Sequence, residues 1–263
     1  MDPQDRLRTQ VATAEKFDIR FPSAAENQYD QDEEWCEVRL DGSYRRMRFH
    51  DYHELYAIPG LYEQIFYEEL KCDSPRTVCE LLDEHLEASE QDPKDLKVLD
   101  VGAGNGMVGE QLKELGAGTI VGADIIEEAA EAAERDRPGV YDDYKIIDLT
   151  DIPDEEMREL SEVGFNCLTT VAALGFGDVP PDAFAAAYNL VEEGGHIAFN
   201  IKEDFVDGND DSGFARLIRT AVKEGHLEIE ADRHYRHRLS VAGEPLHYIA
   251  MVGEKRGDLV VTA

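Results

Sequence analysis

The chain has 263 residues and carries 58 acidic against 26 basic side chains, a formal net charge of −32. A surface this acidic repels polyanions, which disfavours nucleic acid as a partner, and the length suits one α/β domain with an extra segment around a sizeable core. No stretch approaches the roughly eighteen consecutive apolar residues of a membrane helix, and the N-terminus lacks a signal-peptide pattern. The cysteines at 36, 72, 79 and 167 show neither C-x-x-C spacing nor a paired framework, so a reducing, cytoplasmic setting without structural zinc is expected. Molar salt shortens electrostatic screening enough to make such charge tolerable, and the composition therefore points to a halophilic source.

Residues 1–34 are polar, acidic and weakly periodic, and are expected to form an arm that is mobile or loosely docked. A cap over 35–92 and a main domain over 93–263 follow. Strand-like pieces flank the turn dipeptide Asp41-Gly42, which predicts a hairpin between Trp35 and Phe49. Its Arg45, Arg46 and Arg48 are read first as a solvated face and second as an anion site. The run His50-Asp51-Tyr52-His53-Glu54-Leu55-Tyr56, then Ile58-Pro59-Gly60-Leu61-Tyr62, concentrates rings with an apolar face and one polar tip. Such a segment suits a lid over a small ligand or, equally, a helix buried on a sheet edge. Val78, Leu81, Leu82 and Leu86 at helical spacing predict a core helix over 76–86, and Gln91-Asp92-Pro93 then breaks the chain.

Residues 97–115, KVLDVGAGNGMVGEQLKEL, read as a buried strand, a glycine turn and a helix that ends at Gly116. Gly102, Gly104 and Gly106 give a loop without Cβ atoms, where backbone amides can approach a ligand at a helix N-terminus. Two cofactor classes share this architecture. Gly104, Gly106 and Gly109 satisfy the dinucleotide pattern G-x-G-x-x-G, but in register from Gly102 the third glycine falls on Met107. Asp100-x-Gly102-x-Gly104-x-Gly106 fits better, because a carboxylate at the strand end suits an ammonium group or loop amides more than a pyrophosphate. A second apolar strand at 119–124 ends in Asp124-Ile125, and a third over 141–148 ends in Asp148-Leu149. Three such acids fall on one edge of a parallel sheet, where open α/β sheets bind ligands.

Together these motifs resemble those of the class I S-adenosylmethionine-dependent methyltransferases, well over 97–202 and plausibly beyond. The resemblance implies that Asp100 and the loop Gly102, Ala103, Gly104, Asn105 and Gly106 surround the methionine moiety of the cofactor. It also implies that Asp124, with Ile125, binds the ribose, that Asp148, with Leu149, meets the adenine amine, and that Val171 lines the same site. The cap segment would close over the methyl donor.

Onward from Asp124, an alanine- and glutamate-rich helix over 127–135 is ended by Pro138-Gly139. A short helix over 155–160 leads to a fourth strand over 165–174. The loop Gly175-Phe176-Gly177-Asp178 would line the space beside the acceptor, so Asp178 could contact substrate, with a plain loop role for it and an N-cap role for Asp182 as the structural readings. A helix over 182–191 stops at the turn Glu193-Gly194-Gly195, and a fifth strand over 196–201 brings Asn200 and Lys202 to the active edge. The loop 207–213 imitates a calcium loop, but Ser212 and Ile218 occupy the positions that need glycine and a bidentate acid, so a solvated acidic loop is expected. Phe214, Leu217, Ile218, Ala221 and Val222 make an amphipathic helix. Strands over 227–239 and 246–254, joined by Ala242-Gly243-Glu244-Pro245, can only pair antiparallel; of His234 to Arg238 on the first, two or three can face the site.

The expected fold is α/β, a Rossmann-like seven-stranded mixed sheet flanked by helices, its last strand antiparallel, with an N-terminal hairpin and helical cap; the order 3-2-1-4-5-7-6 comes from the resemblance. The expected function is methyl transfer from S-adenosylmethionine to a small-molecule acceptor. His50, Tyr52, His53 and Tyr56 are the candidates for a general base, needed where the acceptor is protonated. A module that binds the adenosyl cofactor without catalysis, and an NAD-dependent oxidoreductase, are the alternatives.

Overall fold

The computed structural model describes residues 16–22, 31–174, 178–203 and 213–260. Two sheets organise it. The smaller is antiparallel, β1 (Ile19–Arg20), β2 (Trp35–Leu40) and β3 (Ser43–Arg48) in that order. Asp41 and Gly42 both have positive φ, 50° and 84°, the pairing a two-residue hairpin with right-handed strand twist requires. Cys36, Val38 and Met47 point into a core with Leu55, Leu61 and Ile65, while Arg45, Arg46 and Arg48 face solvent. Arg46 lies over the Trp35 ring at 3.6 Å and Arg45 pairs with Glu54 at 2.8 Å, as expected of a solvated face.

Of the first 34 residues, 1–15 and 23–30 lie outside the described residues, and the remainder is docked. Ile19 pairs with Val38, the Phe17 N–H donates to Gln64 at 2.7 Å, and the buried Glu34 carboxylate accepts from Arg238 at 2.5 Å and from the Val241 N–H at 2.8 Å.

The larger sheet contains β4 (Lys97–Val101), β5 (Thr119–Asp124), β6 (Asp143–Ile146), β7 (Phe165–Thr170), β8 (Val191–Lys202), β9 (Leu227–Leu239) and β10 (Pro245–Lys255). Their order is β6-β5-β4-β7-β8-β10-β9, with β10 antiparallel to both its neighbours. That is the expected topology. The central strand β4 is buried on both faces, so its side chains read as a continuous apolar run broken only by Asp100. The chain leaves β4 toward β5 on one side and returns through β7 on the other, so a crevice opens at the carboxyl ends where the order reverses.

The helix Ser74–Ala88 begins two residues earlier than its apolar spacing suggests, because Pro75 suits a first helical turn, and it packs on the large sheet through Val78, Leu82 and Leu86. The helices Met107–Leu115, Glu127–Asp136, Asp154–Val163, Pro181–Asn189 and Phe214–Glu224 complete the layers. Three local expectations need correction. The fourth strand ends at Thr170 rather than 174, since the chain turns through Ala172 at φ 57°, its N–H held by Asn200 Oδ1 at 2.7 Å. The stretch Glu193-Gly194-Gly195 is an irregularity within β8, which starts at Val191, and not a turn ahead of it. Pro180 occupies the N-cap of the next helix and Asp182 its first turn. Residues 175–177, and 204–212 of the acidic loop, lie outside the described residues. Among the described residues no helix is long and apolar enough to cross a membrane.

Candidate active site

Each carboxyl end at the crevice places a polar group by local rules. After β4 the chain turns through Gly102 and Gly104, whose φ values of 69° and 53° L-residues rarely adopt. The amides of Gly102 and Ala103 donate to the Ala123 carbonyl at 2.9 and 3.2 Å, which ties the loop to the end of β5. Asp124 then joins loop to helix: Oδ2 accepts from the Gly104 N–H at 2.9 Å and Oδ1 from the Ile126 N–H at 3.0 Å. Burial raises its pKa while these backbone donors pull the other way. Beyond β6, Asp148 Oδ1 accepts both the Thr150 N–H at 2.8 Å and its hydroxyl at 2.6 Å, which lowers the carboxyl pKa.

A cavity of about 190 Å³ lies over this edge. Gly102, Ala103, Gly104 and Asn105 line it, as do Asp124, Ile125, Asp148, Leu149 and Val171. Asp100 does not. It is 1 % exposed beneath the loop, accepting from Thr169 Oγ1 and from Tyr141 Oη, both at 2.7 Å, and burial pushes its pKa up to about 6 against those donors. Its place is under the cavity floor, where its side-chain partners are Thr169 and Tyr141 and not a loop amide. Gly106 also stays off the wall. It caps the helix Met107–Leu115 at φ 88°, with Arg137 and Val140 packed where a Cβ would point.

The cap supplies the roof. Tyr52 and Tyr56 from the helix Tyr52–Tyr56, and Tyr62 and Tyr67 from Leu61–Glu63 and the π-helical turn Gln64–Glu69, all line the cavity. Tyr52 stacks on Tyr56 with centroids 6.0 Å apart, and Tyr56 meets Tyr62 at 4.8 Å. Opposite them Asp178 receives Tyr52 Oη on Oδ2 at 3.2 Å and faces His50 Nδ1 from Oδ1 at 3.1 Å. The structure thus brings His50, Tyr52 and Asp178 together and sets Tyr56 on the glycine loop. His53 is exposed and lines nothing in the cavity.

Sequence reasoning missed the ties between cap and loop. Glu63 Oε1 accepts from Asn105 Nδ2 at 2.6 Å and from Arg137 Nη1 at 2.9 Å, and the same Arg137 nitrogen reaches the Asn105 carbonyl at 3.0 Å. Arg135 Nη1 donates to the Tyr56 carbonyl at 3.1 Å. Tyr141 and Tyr144 were missed as well: the first holds Asp100 and the second donates to the Gly104 carbonyl at 2.8 Å. A signal existed in Gly109, where a Cβ would lie 2.7 Å from the Tyr141 ring. That glycine serves the packing of Tyr141 and not a dinucleotide.

The donor set fits an adenosyl methyl donor. Two carboxylates suit ribose hydroxyls and an exocyclic amine, Ile125 and Leu149 offer apolar walls to a purine, and among the described residues no lysine or arginine lines the cavity as a pyrophosphate would want. A family model described as a methyltransferase domain matches residues 73–243. The chain belongs to that family. The match begins next to the helix Ser74–Ala88, in keeping with that helix's packing on the large sheet.

Among solved structures, the N-methyltransferase NodS from Bradyrhizobium japonicum in complex with S-adenosyl-L-homocysteine is 12 % identical, with a TM-score of 0.53 over 79 % of this chain and 97 % of its own. Magnesium protoporphyrin IX methyltransferase from Synechocystis PCC 6803 with bound S-adenosylmethionine is 15 % identical, with a TM-score of 0.47 over 69 % of this chain and 79 % of its own. A putative RNA methyltransferase from Pyrococcus horikoshii is 13 % identical, with a TM-score of 0.48 over 69 % and 85 %. At these identities the likeness is one of fold. No curated protein matches the sequence. The family match makes the chain a methyltransferase, and the donor set of the cavity fits S-adenosylmethionine as its methyl donor.

Proposed function

We propose that this methyltransferase acts on a small-molecule acceptor enclosed between the glycine loop and the tyrosine roof. The observation that carries the reading is the roof itself: Tyr52, Tyr56 and Tyr62 pack on one another across the cavity and leave a room the size of a small ligand. The charge of −32 adds that a nucleic-acid acceptor would be repelled.

In this reading Gly102 to Asn105 hold the methionine portion of the cofactor, Asp124 the ribose and Asp148 the adenine amine, with Ile125, Leu149 and Val171 against the ring. The bound sulfonium supplies an activated methyl group. What the chain must add is alignment, exclusion of water and, for a protonated acceptor, a proton acceptor. The roof excludes water. Asp178 is placed to take a proton, and His50 at 3.1 Å to hold that carboxylate in position and pass the proton outward. The chain's division into an arm over 1–34, a cap from 35 and a methyltransferase domain that takes in the helix Ser74–Ala88, its cytoplasmic setting and its halophilic origin belong to the same proposal. Unfolding free energy that rises from low to molar salt is the expected sign of the last.

Calorimetric titration with S-adenosylmethionine and S-adenosylhomocysteine tests the site. Micromolar binding that Asp124→Ala weakens about tenfold or more is expected, the scale of a charged hydrogen bond. Incubation with methyl-labelled cofactor and a fractionated cell extract tests the acceptor: label should enter the small-molecule fraction, and label confined to protein or RNA refutes that part of the reading.

A further inference from the structure

The charges inside the cavity are all of one sign. Asp124, Asp148 and Asp178 line it, and among the described residues no lysine, arginine or histidine does. Two of these acids sit at the adenosyl end, Asp124 bonded to the glycine loop and Asp148 beyond β6. Asp178 meets the tyrosine roof, where Tyr52 Oη donates to it. The roof beside it is Tyr52, Tyr56, Tyr62 and Tyr67, with successive ring centroids 6.0, 4.8 and 6.3 Å apart. Ring faces carry the negative lobe of the aromatic quadrupole, so clustered rings with one carboxylate favour a cation over a neutral group of the same shape.

We infer that the methyl acceptor is a cationic amine, bound as its ammonium form against Asp178 and the tyrosine rings; the inference rests on the proposed use of this cavity for methyl transfer. An acceptor carboxylate or phenolate would face Asp178 with no lysine or arginine on the wall among the described residues, which like-charge repulsion penalises. A hydroxyl acceptor can offer Asp178 a hydrogen bond but no charge, whereas an ammonium offers both, on the side of the carboxylate away from His50 Nδ1. The chemistry balances: the ammonium gives one proton to Asp178, the freed nitrogen lone pair forms the new N–C bond as the donor's C–S bond breaks, and the methylated nitrogen leaves as an ammonium while the sulfur departs neutral. Asp178 is then discharged toward His50, 3.1 Å away at the cavity margin.

The test uses the full chain saturated with S-adenosylhomocysteine and three probes of nearly one shape, benzylamine, benzyl alcohol and benzoate, titrated calorimetrically at pH 7. Benzylamine, cationic at that pH, should bind at least about tenfold more tightly than benzyl alcohol, and benzoate most weakly. Asp178→Asn should bring benzylamine and benzyl alcohol within about twofold of each other, and Asp148→Asn should weaken S-adenosylhomocysteine yet keep the preference. Equal binding of benzylamine and benzyl alcohol to the wild-type complex, or a preference that survives Asp178→Asn, overturns the inference and leaves the methyltransferase reading intact. Absence of S-adenosylhomocysteine binding by folded wild-type protein overturns both. The wild-type ranking decides the matter even if Asp178→Asn does not fold.

Discussion

Replacing Gly104 with alanine tests whether the cap's Tyr56 rests on the glycine loop. Gly104 has φ 53°, and a Cβ there would lie 2.5 Å from the Tyr56 hydroxyl oxygen and 3.3 Å from Cζ. The left-handed backbone costs alanine about 1–2 kcal/mol. The contact adds to it, because Tyr56 is 6 % exposed between Tyr52 and Tyr62 and has little room to swing away. Overpacking of this kind costs about 1–3 kcal/mol, so Gly104→Ala should lose about 2–5 kcal/mol in all. Tyr56→Phe deletes the oxygen and leaves only the milder 3.3 Å approach, so in that background Gly104→Ala should cost little more than its backbone strain. Urea unfolding of the four proteins in a double-mutant cycle gives the coupling, expected at about 1–3 kcal/mol. Additive losses within about 0.5 kcal/mol would show that the hydroxyl and the loop do not meet.

Four further outcomes follow from other contacts. Asp100 is buried with a pKa pushed up from 3.8 to about 6, so the folded state holds that proton more tightly than the unfolded chain and the residue's contribution falls as pH rises through that window. Relative to Asp100→Asn, the wild-type protein should therefore lose about 2 kcal/mol between pH 4 and 7, measured as the difference between the two unfolding curves; a flat difference refutes the burial argument. Ala172, non-glycine at φ 57°, should become more stable by about 1 kcal/mol as glycine, whereas Asn200→Ala should cost about 2–3 kcal/mol by removing the bonds to the Ala172 N–H, Ser74 and Tyr235. Arg137→Met leaves Glu63 with Asn105 alone, and faster proteolysis within 49–72 together with weaker S-adenosylhomocysteine binding is the expected result.

The large sheet was legible because its signals are local. Residues 97–115 contain strand, turn and helix in one stretch, and the short connector Ala242 to Pro245 leaves antiparallel pairing as the only option. Positions were harder where the deciding partner is distant in sequence. Asp100 looks the same in sequence whether it faces a ligand or the core, and Thr169 and Tyr141, 69 and 41 residues away, decide for the core. Glu193-Gly194-Gly195 has the composition of a turn, yet β8 runs through it as an irregularity. The helix Ser74–Ala88 falls in the cap by its place in the chain, while its apolar stripe faces Ala198, Ala250 and Val252 on the large sheet. The tyrosine-rich segment was recognisable as lid or edge helix, and it is the pairing of Tyr52 with Asp178 across 126 residues that makes it a roof.

The absence of cations from the cavity wall among the described residues is not an absence of cations nearby. Arg137 is spent on Glu63 and Glu110, Arg135 on Asp136 and the Tyr56 carbonyl, and Arg238 on the buried Glu34. Each of these pairs joins the cap or the arm to the sheet domain, or lies at such a junction, outside the cavity. The two ties, Glu63–Arg137 at the glycine loop and Glu34–Arg238 at the terminal hairpin, fix how the cap sits without placing charge on the wall. An arginine left free at the same junction could fold back onto Asp178 and neutralise it, which would leave that part of the wall without a charge to select by. With the arginines committed outside, the carboxylates of Asp124, Asp148 and Asp178 are the charged groups on the wall among the described residues, and the ion pairs that seat the roof also keep those arginines off it.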